Sequence, residues 1–294
     1  MKDLTKGNPT RLMLSFALPV CLGNIFQLFY SLADTRIVGS TLGNEALAAI
    51  GATTAITTLL IGFLQGLTNG FSIIVAQCFG AKQTDQLKKA SAGTFLLSFI
   101  TTILLTALAL LFLNPLLHLL NVPQDLFDSA SAYIRILLIG MLITMLYNAL
   151  AGILRAVGDT RRPLYFLLTA GVVNVIFNLI FVIAFSMDVA GVGWATVISQ
   201  YISAALVLRC LIQTEADYRL ELSKLRVVKH KLCAIIQIGL PAGLQGAIFS
   251  ISNVLIQSSI NSFGSVAMAG STASSNIEGF VYTAMNAIYQ TALS

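Results

Sequence analysis

Asp34 lies inside the first long apolar segment of the chain, in the run Leu28-Phe29-Tyr30-Ser31-Leu32-Ala33-Asp34-Thr35-Arg36-Ile37-Val38-Gly39. A carboxylate at that depth opposes membrane insertion by roughly 2.5–3.5 kcal/mol, so it reads first as an ion or proton site on a transport pathway. The bland alternative is a helix-end acid paired with Arg36. Other polar groups interrupt later apolar segments. Asn174 and Asn178 stand four apart and share a helix face, and Thr196 lies on the segment that follows. Gln27 and Tyr30 precede Asp34 by seven and four residues, which sets all three on one stripe; Tyr147 and Asn148 break the fourth segment. A carboxylate, carboxamides and a hydroxyl together offer hard oxygen ligands to a small cation, or a hydrogen-bonded relay to a proton. Interhelical hydrogen bonds, worth about 0.6 kcal/mol each, are the competing explanation for any single amide.

The elements that must position these groups are membrane helices. Apolar residues make up 56% of the chain and charged residues 10%, against about 25% charged in a soluble domain. Apolar runs near the ~20 residues needed to span a bilayer fall at 12–38, 45–77, 90–114, 130–154, 164–186, 191–213, 232–262 and 266–292. Eight spans are therefore predicted. Their length and continuity exclude a barrel of short alternating strands. The first run is too long for a secretory signal and carries an acid. Cys21, Cys78, Cys210 and Cys233 lack metal or disulfide spacing, and His118 and His230 have no partner suited to acid–base chemistry, so no enzyme and no cofactor is expected.

Charge gives the topology. Lys2, Lys6 and Arg11 precede the first span, and Lys82, Lys88 and Lys89 follow the second. Arg155, Arg161 and Arg162 follow the fourth, and Arg209, Arg219, Lys224, Arg226, Lys229 and Lys231 surround the link after the sixth. The alternate loops carry Glu45, Asp125, Asp128 and Asp188 instead. This positive-inside pattern predicts a cytoplasmic N-terminus in a multi-pass protein of the cell membrane. It also explains the net charge of +5 without invoking nucleic acid.

An internal repeat is visible. Ala17-Leu18-Pro19-Val20-Cys21-Leu22 resembles Gly239-Leu240-Pro241-Ala242-Gly243-Leu244, and the stretch from Leu42 to Ala49 resembles that from Phe263 to Gly270 after a one-residue slip. The predicted division is a complete six-helix N-terminal lobe over 1–213, a basic cytoplasmic linker over 214–231, and the first two helices of a parallel-repeat C-terminal lobe over 232–294. By symmetry four further helices are expected, so the chain reads as truncated. Pro19 and Pro241 occupy matching places in the first helix of each unit and predict gating bends. Gly62, Gly66 and Gly70 form a ladder along one face of the second helix, which permits close packing of a neighbour.

Several stretches together resemble the multidrug and toxic compound extrusion (MATE) transporters. They are Asp34-Thr35-Arg36-Ile37-Val38-Gly39 with Leu47-Ala48-Ala49, Gly66-Leu67-Thr68-Asn69-Gly70, Gln77-Cys78-Phe79-Gly80-Ala81, Arg155-Ala156-Val157-Gly158-Asp159-Thr160-Arg161-Arg162-Pro163 and Ile238-Gly239-Leu240-Pro241-Ala242-Gly243. The resemblance implies an all-α protein exporting organic, often cationic, compounds in exchange for H+ or Na+. It implies cation or proton coupling at Asp34, assisted by Asn174, Asn178 and Thr196, with Gln27, Tyr30 and Asn148 lining a substrate cavity. The implied partners are small organic substrates and the lipid bilayer, with the protein acting as a monomer and no metal beyond Na+ at Asp34. Two positions depart from the pattern: Asn178, where many relatives carry Asp, and Arg36, where small or apolar residues are usual. The alternatives are a lipid-linked oligosaccharide flippase of the same superfamily, disfavoured because only Arg36 and Arg135 supply cations near membrane depth, and a non-transporting fragment. Glu278 in the eighth helix is a weaker second candidate for an intramembrane acid.

Overall fold

The computed structural model describes residues 8–119, 124–216, 218–220, 229–261 and 265–293, and among these all regular structure is helical. In chain order the elements are α1 (Pro9–Thr41), α2 (Gly43–Gly80), α3 (Thr84–Leu111), the short α4 (Leu113–Leu119), α5 (Gln124–Ala156), α6 (Arg161–Asn178), α7 (Asp188–Gln213), α8 (Lys229–Asn261) and α9 (Ser265–Leu293). Helix α6 runs straight into a π-helical turn, Leu179–Ala184.

Local chemistry accounts for the helix ends. At the start of α1 the Asn8 side chain accepts from Thr10 N at 3.0 Å and from Arg11 N at 3.4 Å, and Pro9 occupies the first helical position, where its missing N–H costs nothing. Only Leu42 separates α1 from α2, and the sharp reversal is made by Gly43 at φ +83°, a left-handed conformation that glycine adopts without strain. Gly158, at φ +87°, does the same after α5. Asp159 then accepts from Arg162 N and pairs with Arg162 Nε at 3.3 Å, which opens α6. The conspicuous loop sequence from Arg155 to Pro163 is thus a glycine stop followed by an acidic start.

Among the described residues, seven helices are long and apolar enough to cross a membrane: those within α1, α2, α3, α5, α6 with its π turn, α7 and α8. The eighth predicted span, 266–292, coincides with α9. It is a 29-residue helix, but Ser271, Thr272, Ser274, Ser275, Asn276 and Glu278 dilute its first half. The third predicted span divides, ending at Leu111 before α4 begins.

The core is built by α2, α3, α5 and α7, with Phe71, Val75, Leu87, Ile134, Leu138, Met145, Leu150, Ile153 and Leu154 buried in one cluster. Exposed apolar side chains run the length of the outward faces, among them Leu104, Ile139, Val172, Ile176 and Leu255, as a bilayer solvent requires.

The glycine ladder of α2 has a partner. A methyl group at Gly66 would lie 2.3 Å from the Ala242 carbonyl oxygen, and one at Gly70 would lie 2.5 Å from Gly239 Cα. At Gly62 it would lie 2.4 Å from Ser250 Oγ, while a methyl at Gly246 would lie 2.3 Å from the Gly62 carbonyl oxygen. The two backbones therefore pack in direct contact along an antiparallel seam, which small residues alone allow. At the end of the bundle that carries the lysines and arginines, α9 also meets the earlier helices. Ala287 packs on Phe16 and Val20, and Arg155 Nη1 donates to Gln290 Oε1 at 2.8 Å.

Candidate functional site

The polar residues singled out in the sequence converge where α1, α6 and α7 meet. Spacing of four on α6 brings Asn174 and Asn178 to the same buried face, at 1% and 0% exposure, in line with Pro163 and Ala170. Asp34 reaches them from α1 and is only partly buried. Asn178 Nδ2 donates to Asp34 Oδ1 at 2.6 Å and to Asn174 Oδ1 at 3.2 Å. Asn174 Nδ2 donates to Thr196 Oγ1 on α7 at 3.4 Å, and the Thr196 hydroxyl donates to the Val192 carbonyl at 3.1 Å. Four of the nine site residues expected from sequence are thereby joined in one chain of hydrogen bonds.

Two details give this cluster chemical character. Which end of the Asn174 amide faces Asp34 is decided by the hydrogen bonds available to it. Turned the other way, its Nδ2 donates to Asp34 Oδ1 at 2.7 Å and to Oδ2 at 3.1 Å, the arrangement that suits an anionic carboxylate. In the orientation that accepts from Asn178, an amide oxygen takes that place beside the carboxyl oxygens. Two acceptors so close are favourable only with a proton or a cation between them. Second, Asn178 Oδ1 is buried and has no hydrogen-bond partner among the described residues, an acceptor left free that needs an explanation. Carboxylate, two amide carbonyls and a hydroxyl form a hard-oxygen donor set of the kind Na+ takes, and equally one that can relay a proton.

Arg36 does not enter this cluster. Its side chain is exposed, and among the described residues it forms no ion pair with Asp34, as expected for positions two apart on a helix. Gln27 is exposed on α1, and Asn148 Nδ2 donates to the Thr144 carbonyl of its own helix at 3.0 Å; neither is joined to Asp34 by a hydrogen bond among the described contacts. The Tyr30 side chain lies outside the described residues. Pro19 and Pro241 sit inside the continuous helices α1 and α8. Glu278 is exposed on α9.

Tyr133 on α5 is the neighbour that sequence reasoning missed. It packs against the small cluster of Val38, Ala46, Val182, Val189 and Val192, and its phenol lies within electrostatic range of Asp34. Its sequence context carries no signal, and its place is set by the packing of α5 on α7. Tyr133, Ile136 and Gly140 share the α5 face that abuts Gly193 and Val197 of α7, and a hydroxyl-bearing aromatic on that face points toward the site.

The π turn begins directly after Asn178, with Phe185 N donating to the Ile180 carbonyl. Such turns recur at functional positions because they insert one residue into a helix. Here a methyl at Gly191 would lie 3.2 Å from Phe181 Cβ, so the absence of a side chain lets α7 close against the bulge.

Replacing Asn178 with leucine removes the short donor to Asp34 and leaves a partly buried carboxylate underpaired, a loss of about 1–3 kcal/mol. The expected result is a thermal midpoint lowered by about 2–8 °C in detergent. A double-mutant cycle with Asp34→Leu should recover part of it, because removing both partners costs less than removing one.

Fold and site together define a multi-pass helical membrane protein organised around a buried carboxylate–amide cluster. The MatE family matches residues 19–180, and the chain belongs to that family. It is 30% identical over 95% of its length to "Probable multidrug resistance protein YpnP" of Bacillus subtilis, covering 62% of that protein. It is 29% identical over 90% of its length to "Probable multidrug resistance protein YoeA" of the same organism, covering 59%. A solved multidrug resistance MATE family transporter of the MOP superfamily, in an outward-facing conformation, superposes with a TM-score of 0.90 at 24% identity, over 98% of this chain and 64% of that one. The chain thus spans about 60% of the length of the curated relatives it matches. Those relatives carry the names of transport proteins, not enzymes.

Proposed function

We propose that the protein is a secondary active transporter that exports organic, often cationic, compounds in exchange for H+ or Na+, with Asp34 as the coupling group. The observation that carries this reading is the convergence of Asp34 with Asn174, Asn178 and Thr196, an acid set among amides and a hydroxyl where three apolar helices meet. With Asp34 anionic, Asn174 and Asn178 both donate to it. With Asp34 protonated or paired with a cation, the anion that holds these donors is neutralised and their hydrogen bonds to it weaken. In this reading, loading the site changes how α6 is held to α1.

Energetics are sufficient. Each elementary charge moved down a 100 mV potential supplies about 2.3 kcal/mol, enough for a roughly fiftyfold concentration ratio. The basic end of the bundle, carrying Lys82, Arg155, Arg161 and Arg209, is the cytoplasmic end in this reading. The relatives named as multidrug resistance proteins support an organic substrate, and the bundle surface supports passage across a bilayer.

The test is dye efflux from vesicles containing the protein, under a proton gradient alone and a sodium gradient alone. One of the two is expected to drive export above the rate in protein-free vesicles. Equal rates with and without both gradients sink the proposal.

A further inference from the structure

We infer that the basic end of the α6–α7 pair is a binding site for the headgroup of an anionic phospholipid. The inference rests on a surface remote from Asp34 and is independent of the transport reading.

The site starts from helical periodicity. On α6 the buried residues Pro163, Ala170, Asn174 and Asn178 fall on one face. The exposed residues Arg161, Tyr165, Thr169, Val172 and Ile176 fall on the opposite one, as 100° per residue dictates. On α7, Val192, Ser199, Ser203, Val207 and Leu211 are buried, and Trp194, Tyr201, Ala205 and Arg209 are exposed on the far side. Each helix therefore shows the bilayer an apolar ribbon that ends in an arginine. Tyr165 lies one turn inside Arg161, and Tyr201 two turns inside Arg209, each 60% exposed. This sequence of apolar stripe, aromatic ring and guanidinium matches, in order, the acyl chain, the interface and the phosphate of a lipid.

The two arginines lie at the same end of the bundle because the helix ends are in contact. Arg162 Nη1 donates to Cys210 Sγ at 3.4 Å, and Arg161 and Arg209 are the sequence neighbours of that pair. The chain after α7 adds a third guanidinium. Leu220 N donates to the Leu211 carbonyl, and Tyr218 and Leu220 are buried. This fold-back leaves Arg219 exposed, with its Nε donating to the Ile212 carbonyl at 3.0 Å.

Charge bookkeeping separates this place from the other basic turns. Lys89 is paired with Asp85, and Arg155 is directed inward to Gln290. At the α6–α7 end, Asp159 is taken by Arg162, and Glu215 is the other acid among the described residues there. Arg209 Nε donates to Gln213 Oε1 at 3.2 Å, a neutral partner. Arg161 has no partner among the described residues. Planar guanidiniums with unspent donors suit the oxygens of a phosphodiester, and arginines at a membrane surface each strengthen attraction to anionic lipid.

The experiment is native mass spectrometry of the detergent-solubilised protein titrated with phosphatidylglycerol or phosphatidylcholine. Wild type is expected to retain phosphatidylglycerol adducts in clear preference to phosphatidylcholine. In the Arg161→Gln/Arg209→Gln protein that preference should fall about tenfold or more, at about fivefold per arginine removed. Arg161→Lys/Arg209→Lys should keep most of it, and Lys88→Gln/Lys89→Gln should leave it unchanged. Inorganic phosphate at millimolar concentration should not displace the lipid. Equal retention of the two lipids by wild type, undiminished preference in the double glutamine variant, or full displacement by phosphate each overturns the inference. Unchanged thermal midpoints across the variants separate lost binding from lost folding.

Discussion

Asp34→Asn is expected to lower gradient-driven efflux by at least about tenfold and to abolish its dependence on whichever ion gradient drives the wild-type protein. The substitution is close to isosteric. Asn178 Nδ2, which donates to Asp34 Oδ1 at 2.6 Å, still finds a carbonyl oxygen in asparagine, so the α1–α6 contact should survive. What disappears is the group that takes up a proton or neutralises a cation, since a carboxamide does neither with comparable strength. The measurement is dye efflux in vesicles under separately imposed proton and sodium gradients, with dye binding as a control for the cavity. Export that keeps its full gradient dependence in the variant would remove Asp34 from the coupling role, whatever the fate of the rest of the cluster.

Gly66→Leu acts on assembly. At Gly66 even a β-carbon would sit 2.3 Å from the Ala242 carbonyl oxygen and 2.8 Å from the Ala242 carbonyl carbon, both backbone atoms with no rotamer to escape into. The helices must part, which costs about 1–3 kcal/mol for an ordinary overpacked site and more where a continuous seam opens. The thermal midpoint should drop by about 5–10 °C, and the folded yield with it. Gly39→Ala is the control, because nothing lies within 4 Å of a methyl there and the backbone is not left-handed. A Gly66→Leu protein as stable as Gly39→Ala would mean that α2 and α8 do not pack as described.

Much of this architecture was legible in advance because two forces act on it almost without competition. Long apolar runs and alternating basic loops are dictated by the bilayer, so helix positions followed directly, down to α9 at 265–293, the third predicted span, divided between α3 and α4, being the exception. The polar cluster was legible because polar groups are rare in such segments, so Asn174, Asn178, Thr196 and Asp34 stood out singly and proved to be neighbours. Which helix faces which was much less visible. The glycine ladder of α2 announced close packing, but nothing in its spacing named α8 as the partner. Gln27 shows the limit of stripe arguments, because a shared helix face fixes direction and leaves the reach to a neighbour undecided. Tyr133 was passed over because a tyrosine in an apolar run reads as core until its hydroxyl is placed beside a charge. The π turn after Asn178 has no composition cue at all, since Leu179–Ala184 is as apolar as any helical stretch.

The one-residue joint at Leu42 makes α1 a lever. With its outer end tied to α2 through Gly43, a rigid helix can swing only about that point. Asp34 stands eight residues from the fulcrum, about 12 Å at 1.5 Å per residue, so a tilt of about 10° carries its carboxylate ~2 Å, enough to part it from Asn178. The same tilt moves the far arm near Pro19, about 35 Å out, by ~6 Å. That arm rests on α9, where Phe16 and Val20 meet Ala287. Breaking one hydrogen bond near the fulcrum is thereby geared up about threefold at the opposite membrane face, and the fixed lengths of the two arms set that ratio.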